Sequence, residues 1–273
     1  MADFGEVGLP TKGSTVGKGR TSTRRRPTVK AGVQATIQQS GQMSYAENYE
    51  RCCLESAGAI ERAFMRLMTR QAEKIGQASH KIWSLKYLID TYFAGRSGLR
   101  VLDCGAWNGW FLSYDVPEIA HRIALDFDPY YAVELRRSGI RFILADMEKG
   151  AVPLAGNSID LLAMTSTLEH LSCPEHIARE IRRVLKPGGI VFITVPNILK
   201  YGFRFWDDVT HKRPFNDKSL RFLLETHGLE TVQLCPYNHN LFIAGNLFPG
   251  PVHRFLTRFR GKALMYIGRK PGP

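Results

Sequence analysis

Val101-Leu102-Asp103-Cys104-Gly105-Ala106-Trp107-Asn108-Gly109 is the stretch that decides how this chain folds. An apolar, β-prone run ends in an acid, and two glycines follow at a spacing that turns the backbone sharply. Gly105 and Gly109 can take φ > 0 and can bring the main chain close to a ligand with no Cβ in the way. A second apolar run, Arg122-Ile123-Ala124-Leu125, ends in Asp126, an acid placed to accept from ribose hydroxyls. Strand, glycine turn, strand and acid, in that order, is the layout with which an open α/β sheet binds a nucleoside. At position 107, where many such turns carry glycine, this one carries tryptophan.

The same spacing sets two other ligand classes aside. A dinucleotide fingerprint requires Gly-x-Gly-x-x-Gly, and here Ala106-Trp107-Asn108 separates the glycines, which leaves a pyrophosphate little exposed backbone to rest on. No Gly-x-x-x-x-Gly-Lys-Ser/Thr phosphate loop occurs anywhere in the chain.

Outward from this stretch the pattern alternates. Strands are expected at 100–104, 121–126, 140–145, 158–165 and 189–195, with helices at about 109–115, 129–138 and 174–185. Alternation at this interval implies a parallel sheet with helices on both faces. Beyond it, 197–216 reads as an irregular aromatic and charged insertion. A helix at 217–227, a strand at 229–235, the aromatic segment 237–261 and a last strand at 263–268 complete the chain. Before it, residues 44–98 read as a helical cap. Ile60, Phe64, Leu67 and Met68 recur at helical spacing, and Ile82, Trp83, Leu85, Leu88 and Ile89 repeat the pattern. Residues 1–40 are rich in Gly, Ser, Thr, Lys and Arg and are expected to form a disordered basic arm.

The 273 residues suffice for one large or two small domains, and 44% apolar content fits a soluble globular protein. No apolar run approaches the ~20 residues that span a bilayer, and no secretory h-region opens the chain. The five cysteines are odd in number and lack metal or disulfide spacing. A cytoplasmic protein is expected. The net charge of +12 sits at the ends: residues 1–30 carry seven basic and two acidic side chains, and 200–273 carry twelve and five, while 31–199 balance at eighteen of each. Such ends can steer anionic partners or can simply be solvated.

Several stretches, in order, resemble the class I S-adenosylmethionine-dependent methyltransferases, in particular the methyltransferase type 11 domain. They are Val101-Leu102-Asp103-Cys104-Gly105, Ala124-Leu125-Asp126-Phe127-Asp128-Pro129 and Phe142-Ile143-Leu144-Ala145-Asp146-Met147. Thr167-Leu168-Glu169-His170-Leu171 and Arg183-Val184-Leu185-Lys186-Pro187-Gly188-Gly189 follow, with Asp160 between. The likeness covers 99–196 strongly and 197–269 loosely. It implies a doubly wound, Rossmann-like sheet of seven strands over 99–269, the last antiparallel, and S-adenosyl-L-methionine as cofactor. It further implies that Gly105 and Gly109 pass beneath the ligand's amino acid and ribose, and that Asp103 holds its ammonium directly or through water. Asp126 would accept from both ribose hydroxyls and Asp146 from the adenine amine, with Met147 against the ring. For each acid a helix N-cap is the competing reading. Trp107 can turn its ring away, pack on the cofactor or acceptor, or block the site.

Methyl transfer needs alignment, plus a base where the acceptor must lose a proton. His170, where strand four ends, and His211, in the insertion expected to roof the cleft, are the candidates, because an imidazole titrates near neutrality. Each has a structural alternative: a helix-start position for His170, pairing with Asp207 or Asp208 for His211. The Asp-Asp-x-x-His spacing fits no metal site, and none is expected. The acceptor is left open. An Asn/Asp-Pro-Pro-aromatic turn after strand four and a Pro-Cys nucleophile are both absent, which weighs against a nucleic-acid substrate. Arg204-Phe205-Trp206 and 237–248 offer apolar walls suited to a small molecule, a saccharide or a lipid-linked acceptor, or else are core. Residues 253–260 form a short basic amphipathic stretch for which weak membrane-surface contact is conceivable. An RNA methyltransferase and a non-catalytic module on the same fold are the alternatives.

Overall fold

The computed structural model describes residues 80–113, 115–237 and 261–272. Seven strands form one sheet: β1 Leu99–Cys104, β2 Ile119–Asp126, β3 Arg141–Leu144, β4 Ile159–Thr165, β5 Leu185–Pro196, β6 Glu230–Tyr237 and β7 Ala263–Arg269. Their order is β3-β2-β1-β4-β5-β7-β6. All neighbouring pairs from β3 to β5 are parallel, and β7 is antiparallel to both β5 and β6. This is the doubly wound sheet expected, with only its last strand reversed.

The central strands read as continuous apolar runs because both faces are covered. Every residue of β4 is buried. On one face lie α3 (Pro174–Val184) and α4 (Asp217–Thr226). Helix α3 buries Ile177, Ala178, Ile181 and Val184 at helical spacing while Arg179 and Arg182 stay exposed. Helix α4 begins at a capping box in which Asn216 and Ser219 exchange side-chain-to-backbone bonds of 2.9 and 3.0 Å. Helix α1 (His80–Tyr92) buries Leu85, Leu88 and Ile89, and its Ser84 hydroxyl meets the Tyr237 hydroxyl at 3.1 Å. Tyr237, read from the sequence as cleft wall or core, is therefore core. The rest of the expected helical cap, the N-terminal arm, and residues 238–260 lie outside the described residues.

One helix is corrected. The segment expected to be helical at 109–115 forms turns among its described residues, so the crossover from β1 to β2 is a loop. Tertiary packing explains this. Phe111 is fully buried, stacked on Phe192 of β5 at 5.9 Å, and Leu112 is buried beside it. Gly109, at φ +68°, meets α2 (Ala132–Arg137): a Cβ there would overlap the Leu135 side chain. Gly109→Ala should therefore cost about 2–4 kcal/mol from left-handed strain and overpacking together. The measurement is denaturant unfolding. A loss below about 0.5 kcal/mol would mean that the loop relaxes freely.

A buried ion pair ties the loop after β3 to α3. Glu180 accepts from Arg183 Nε at 2.8 Å, from Arg183 Nη2 at 2.7 Å and from the Val152 amide at 2.7 Å. Arg183 also donates to the carbonyls of Leu154 and Val152. Asp160, 2% exposed, likewise gathers Arg96, Lys186 and the Arg100 amide at the N-terminal end of β4. That end is remote from the glycine turn, so Asp160 is structural.

Candidate active site

The chain enters the sheet at β1, winds out through β2 and β3, then crosses back to β4 on the other side of β1. Ligands in such sheets bind at the carboxyl ends of the strands where the winding direction reverses. Here that point is flanked by the 105–109 turn after β1 and the 166–170 segment after β4. The two touch: a Cβ on Gly105, at φ +72°, would overlap the Thr167 side chain. Ser166 is also left-handed, at φ +49°, which concentrates backbone strain at this junction.

Trp107 takes φ +47°. Position 107 thus keeps a glycine-like, left-handed conformation with an indole attached. Asp126 helps hold it there. One carboxylate oxygen accepts the Trp107 amide at 2.8 Å and the other accepts the Asp128 amide at 3.0 Å. The indole packs edge-on against Tyr131, with ring centroids 6.2 Å apart. Asp126 is 7% exposed, and burial pushes its pKa up, partly offset by the Asp128 and Trp107 amides.

Asp103 lies fully buried at the end of β1, between Ala124 and Ala163 of the flanking strands. The neighbouring Cys104 thiol is pushed far up by burial and by the Asp103 and Asp126 carboxylates, so it is no nucleophile. Asp146 follows β3, accepts the Glu148 amide at 3.0 Å and pairs with Lys149 at 2.9 Å, which lowers its pKa. Met147 is buried in the main core. Asp126 and Asp146 close local turns on residues 128 and 148, and no described helix is capped by any of the three acids.

The insertion folds over the end of β4. Its ends meet where Asn197 bridges Phe215 and the Ile198 amide donates to the Phe215 carbonyl at 2.9 Å. The amides of Lys212 and Arg213 both donate to the Glu169 carbonyl, and Lys212 Nζ pairs with Glu148 at 2.7 Å. These contacts bring His211 to His170, with ring centroids 4.8 Å apart. Phe205, read from the sequence as cleft wall or core, is fully buried and stacks on His211 at 4.4 Å. Leu199, Phe203, Trp206 and Val209 of the same insertion stand exposed.

The hydrogen bonds fix both tautomers. The Thr210 hydroxyl lies 2.6 Å from Asp208 Oδ1 and 2.8 Å from His170 Nδ1. A carboxylate only accepts, so Thr210 gives its single proton to Asp208 and must accept from His170 Nδ1–H. His211 Nδ1 lies 2.6 Å from the Phe205 carbonyl and must likewise donate. In the neutral form of either ring, Nε2 then carries the lone pair. Burial lowers the His170 pKa, and His211 adds to the effect, so the neutral ring is favoured. His211 Nε2 is 3.7 Å from Asp208, and Asp207 takes no part. The sequence missed Glu169: it is 1% exposed, and burial pushes its pKa up to about 8.

An open cavity lined by Arg179, Arg182, His227 and Lys270 lies at the amino ends of β4 and β6, away from these groups.

A family model described as "Methyltransferase domain" matches residues 102–193. A "Probable S-adenosylmethionine-dependent methyltransferase" of Mycolicibacterium smegmatis is 29% identical over 137 residues, covering 49% of this chain and 53% of that one. A malonyl-[acyl-carrier protein] O-methyltransferase of Enterobacter lignolyticus is 28% identical over 182 residues, covering 59% and 71%. A crystal structure of an S-adenosylmethionine-dependent methyltransferase from Mesorhizobium loti superposes with a TM-score of 0.55 at 16% identity, covering 70% of this chain and 98% of that one. The chain spans about half the length of the first curated relatives it matches, 53% and 39% of them. No described helix is long and apolar enough to cross a membrane.

Proposed function

Because residues 102–193 form a class I S-adenosylmethionine-dependent methyltransferase domain, we propose that this protein methylates a hydroxyl of a small-molecule, saccharide or lipid-linked acceptor. The observation that carries the reading is Asp126, a buried carboxylate at the end of β2 that closes on the strained 105–109 turn. Each of its oxygens accepts one backbone amide and retains a further lone-pair direction for a ribose hydroxyl. Bound there, adenosylmethionine supplies a methyl group on sulfonium: the acceptor's lone pair forms the new bond while the carbon–sulfur pair returns to sulfur as a thioether.

The chain's own residues supply binding and alignment. Asp126 orients the ribose, Asp146 accepts from the adenine amine, and the buried Asp103 charge favours the ligand's cationic amino-acid end. Gly105 lets the turn close against Thr167, and Trp107 walls one side. Toward the acceptor, His170 and His211 are the groups that can take a hydroxyl proton, each through Nε2. The exposed Leu199, Phe203, Trp206 and Val209 beside them suit an apolar or lipid-linked acceptor. A relative named as a malonyl-[acyl-carrier protein] O-methyltransferase is in keeping with methylation at oxygen.

Calorimetric titration tests the reading. Adenosylmethionine and adenosylhomocysteine should each bind at one site with micromolar affinity, about −8 kcal/mol, and NAD should give no heat. Binding of NAD without either adenosyl ligand would overturn it. Binding with no methyl transfer to any hydroxylated acceptor would leave a non-catalytic module.

A further inference from the structure

We infer that Glu169, His170 and His211 form a binding site for one divalent first-row transition-metal ion beside the cofactor cleft. One ligand atom from each residue lies within 4.8 Å of the others. The spacing that argued against a metal considered Asp207, Asp208 and His211 together. The fold instead joins a Glu-His pair after β4 to a histidine forty-one residues later.

Three features of these residues point to a cation. Glu169 is 1% exposed, and neither carboxylate oxygen has a hydrogen-bond partner among the described residues. A buried carboxylate is costly unless a counter-charge or donors reach it. The nearby cations do not serve it: Lys212 Nζ is turned to Glu148, and the Arg213 guanidinium to the Ser172 carbonyl. Both imidazoles, in addition, are already held through Nδ1–H, His211 by the Phe205 carbonyl and His170 by Thr210, which is in turn bonded to Asp208. Metal-bound histidines are oriented in this way, with the second nitrogen donating to an oxygen and the coordinating lone pair presented on the other side. Finally, Asp208 lies 3.7 Å from His211 Nε2 and adds a second negative charge at the site.

The donor set selects the ion. Two imidazoles and one carboxylate suit zinc, cobalt, iron or manganese rather than magnesium or calcium, which prefer all-oxygen shells. Bonds of about 2.0–2.2 Å place ligand atoms about 3–3.5 Å apart, so binding draws the three side chains together by about an ångström. Three protein ligands leave coordination positions open, as in catalytic sites. Its chemical consequence rests on the methyl-transfer reading, whereas the binding itself does not. An acceptor hydroxyl coordinated there becomes more acidic, releases its proton to solvent and presents an oxyanion to the methyl group. The imidazoles then act as ligands and not as bases.

The test is titration of the chelator-stripped chain with Co²⁺, followed by visible d–d absorption. One equivalent should bind and develop bands of low-symmetry nitrogen–oxygen coordination. Glu169→Gln and His211→Ala should each weaken binding on the order of a hundredfold, since even changes behind the ligands cost 10–100-fold. Glu175→Gln, an exposed carboxylate of α3 outside the set, should bind as the parent does. Thermal melts establish that each variant is folded, and Thr210→Val, which removes the hydroxyl that joins His170 to Asp208, should weaken binding by about tenfold. Absence of stoichiometric Co²⁺ binding, or binding indifferent to Glu169→Gln and His211→Ala, overturns the inference. Adenosylmethionine is titrated separately. Cofactor binding without Co²⁺ binding removes only the metal site, and the reverse removes only the methyltransferase reading.

Discussion

Asp126→Ala should lower adenosylmethionine affinity by a hundredfold or more in calorimetric titration. Two hydroxyl donors to a carboxylate contribute about 1.5–3 kcal/mol each, and 3 kcal/mol already exceeds a hundredfold. A second loss adds to this. The Asp126 carboxylate holds the Trp107 amide at 2.8 Å, so its removal also frees a turn kept at φ +47°. Asp126→Asn separates the two contributions. It keeps the shape and one acceptor oxygen, but it directs an amide donor at one of the two backbone N–H groups. Its affinity should fall between parent and alanine variant. Trp107→Gly is the companion. Glycine adopts φ +47° without strain, so any change in affinity belongs to the indole and its contact with Tyr131. If Asp126→Ala binds the cofactor like the parent, the ribose assignment is wrong.

Arg183→Ala should destabilise the fold by about 2–4 kcal/mol at neutral pH, because it strands Glu180 in a site only 7% exposed. The effect should depend on pH. The Arg183 guanidinium holds the Glu180 carboxyl below the usual range, and the Val152 amide assists against the cost of burial. A carboxylate with a depressed folded pKa contributes stability that is fully present above its unfolded pKa, about 4.3, and is lost as pH falls through the folded value. Parent and variant should therefore converge below about pH 4 in denaturant unfolding. If the gap stays constant into acid, Arg183 acts through its bonds to the Leu154 and Val152 carbonyls, and its pairing with Glu180 is incidental.

The sheet was legible because burial on both faces leaves a direct trace in composition. Runs such as Leu161–Met164 are apolar throughout, and each ends where an acid or a polar turn begins. The 105–109 turn was legible for a similar reason: glycines at that interval after a strand have few other uses. The β1–β2 crossover was not, since Trp110, Phe111 and Leu112 resemble an amphipathic turn until Phe192 of β5 is seen to receive Phe111. Phe205 and Tyr237 stayed open between cleft wall and core on the same account. Aromatic residues in an irregular segment read alike whether they line a cleft or fill the space beneath it.

By itself, the sequence determined the fold class, the winding of the strands and the acids that end β2 and β3, because these depend on periodicity and local turn chemistry. Tertiary structure alone decided what stands at the acceptor end. Glu169 and His170 are adjacent and His211 lies far along the chain; nothing local relates them. They meet because the Glu169 carbonyl receives the amides of Lys212 and Arg213 and Lys212 reaches Glu148. That closure also sets the tautomers of both histidines and removes Glu169 from water. Long-range contacts and burial carry no periodicity, so the chemistry they assemble appears only once the chain is folded.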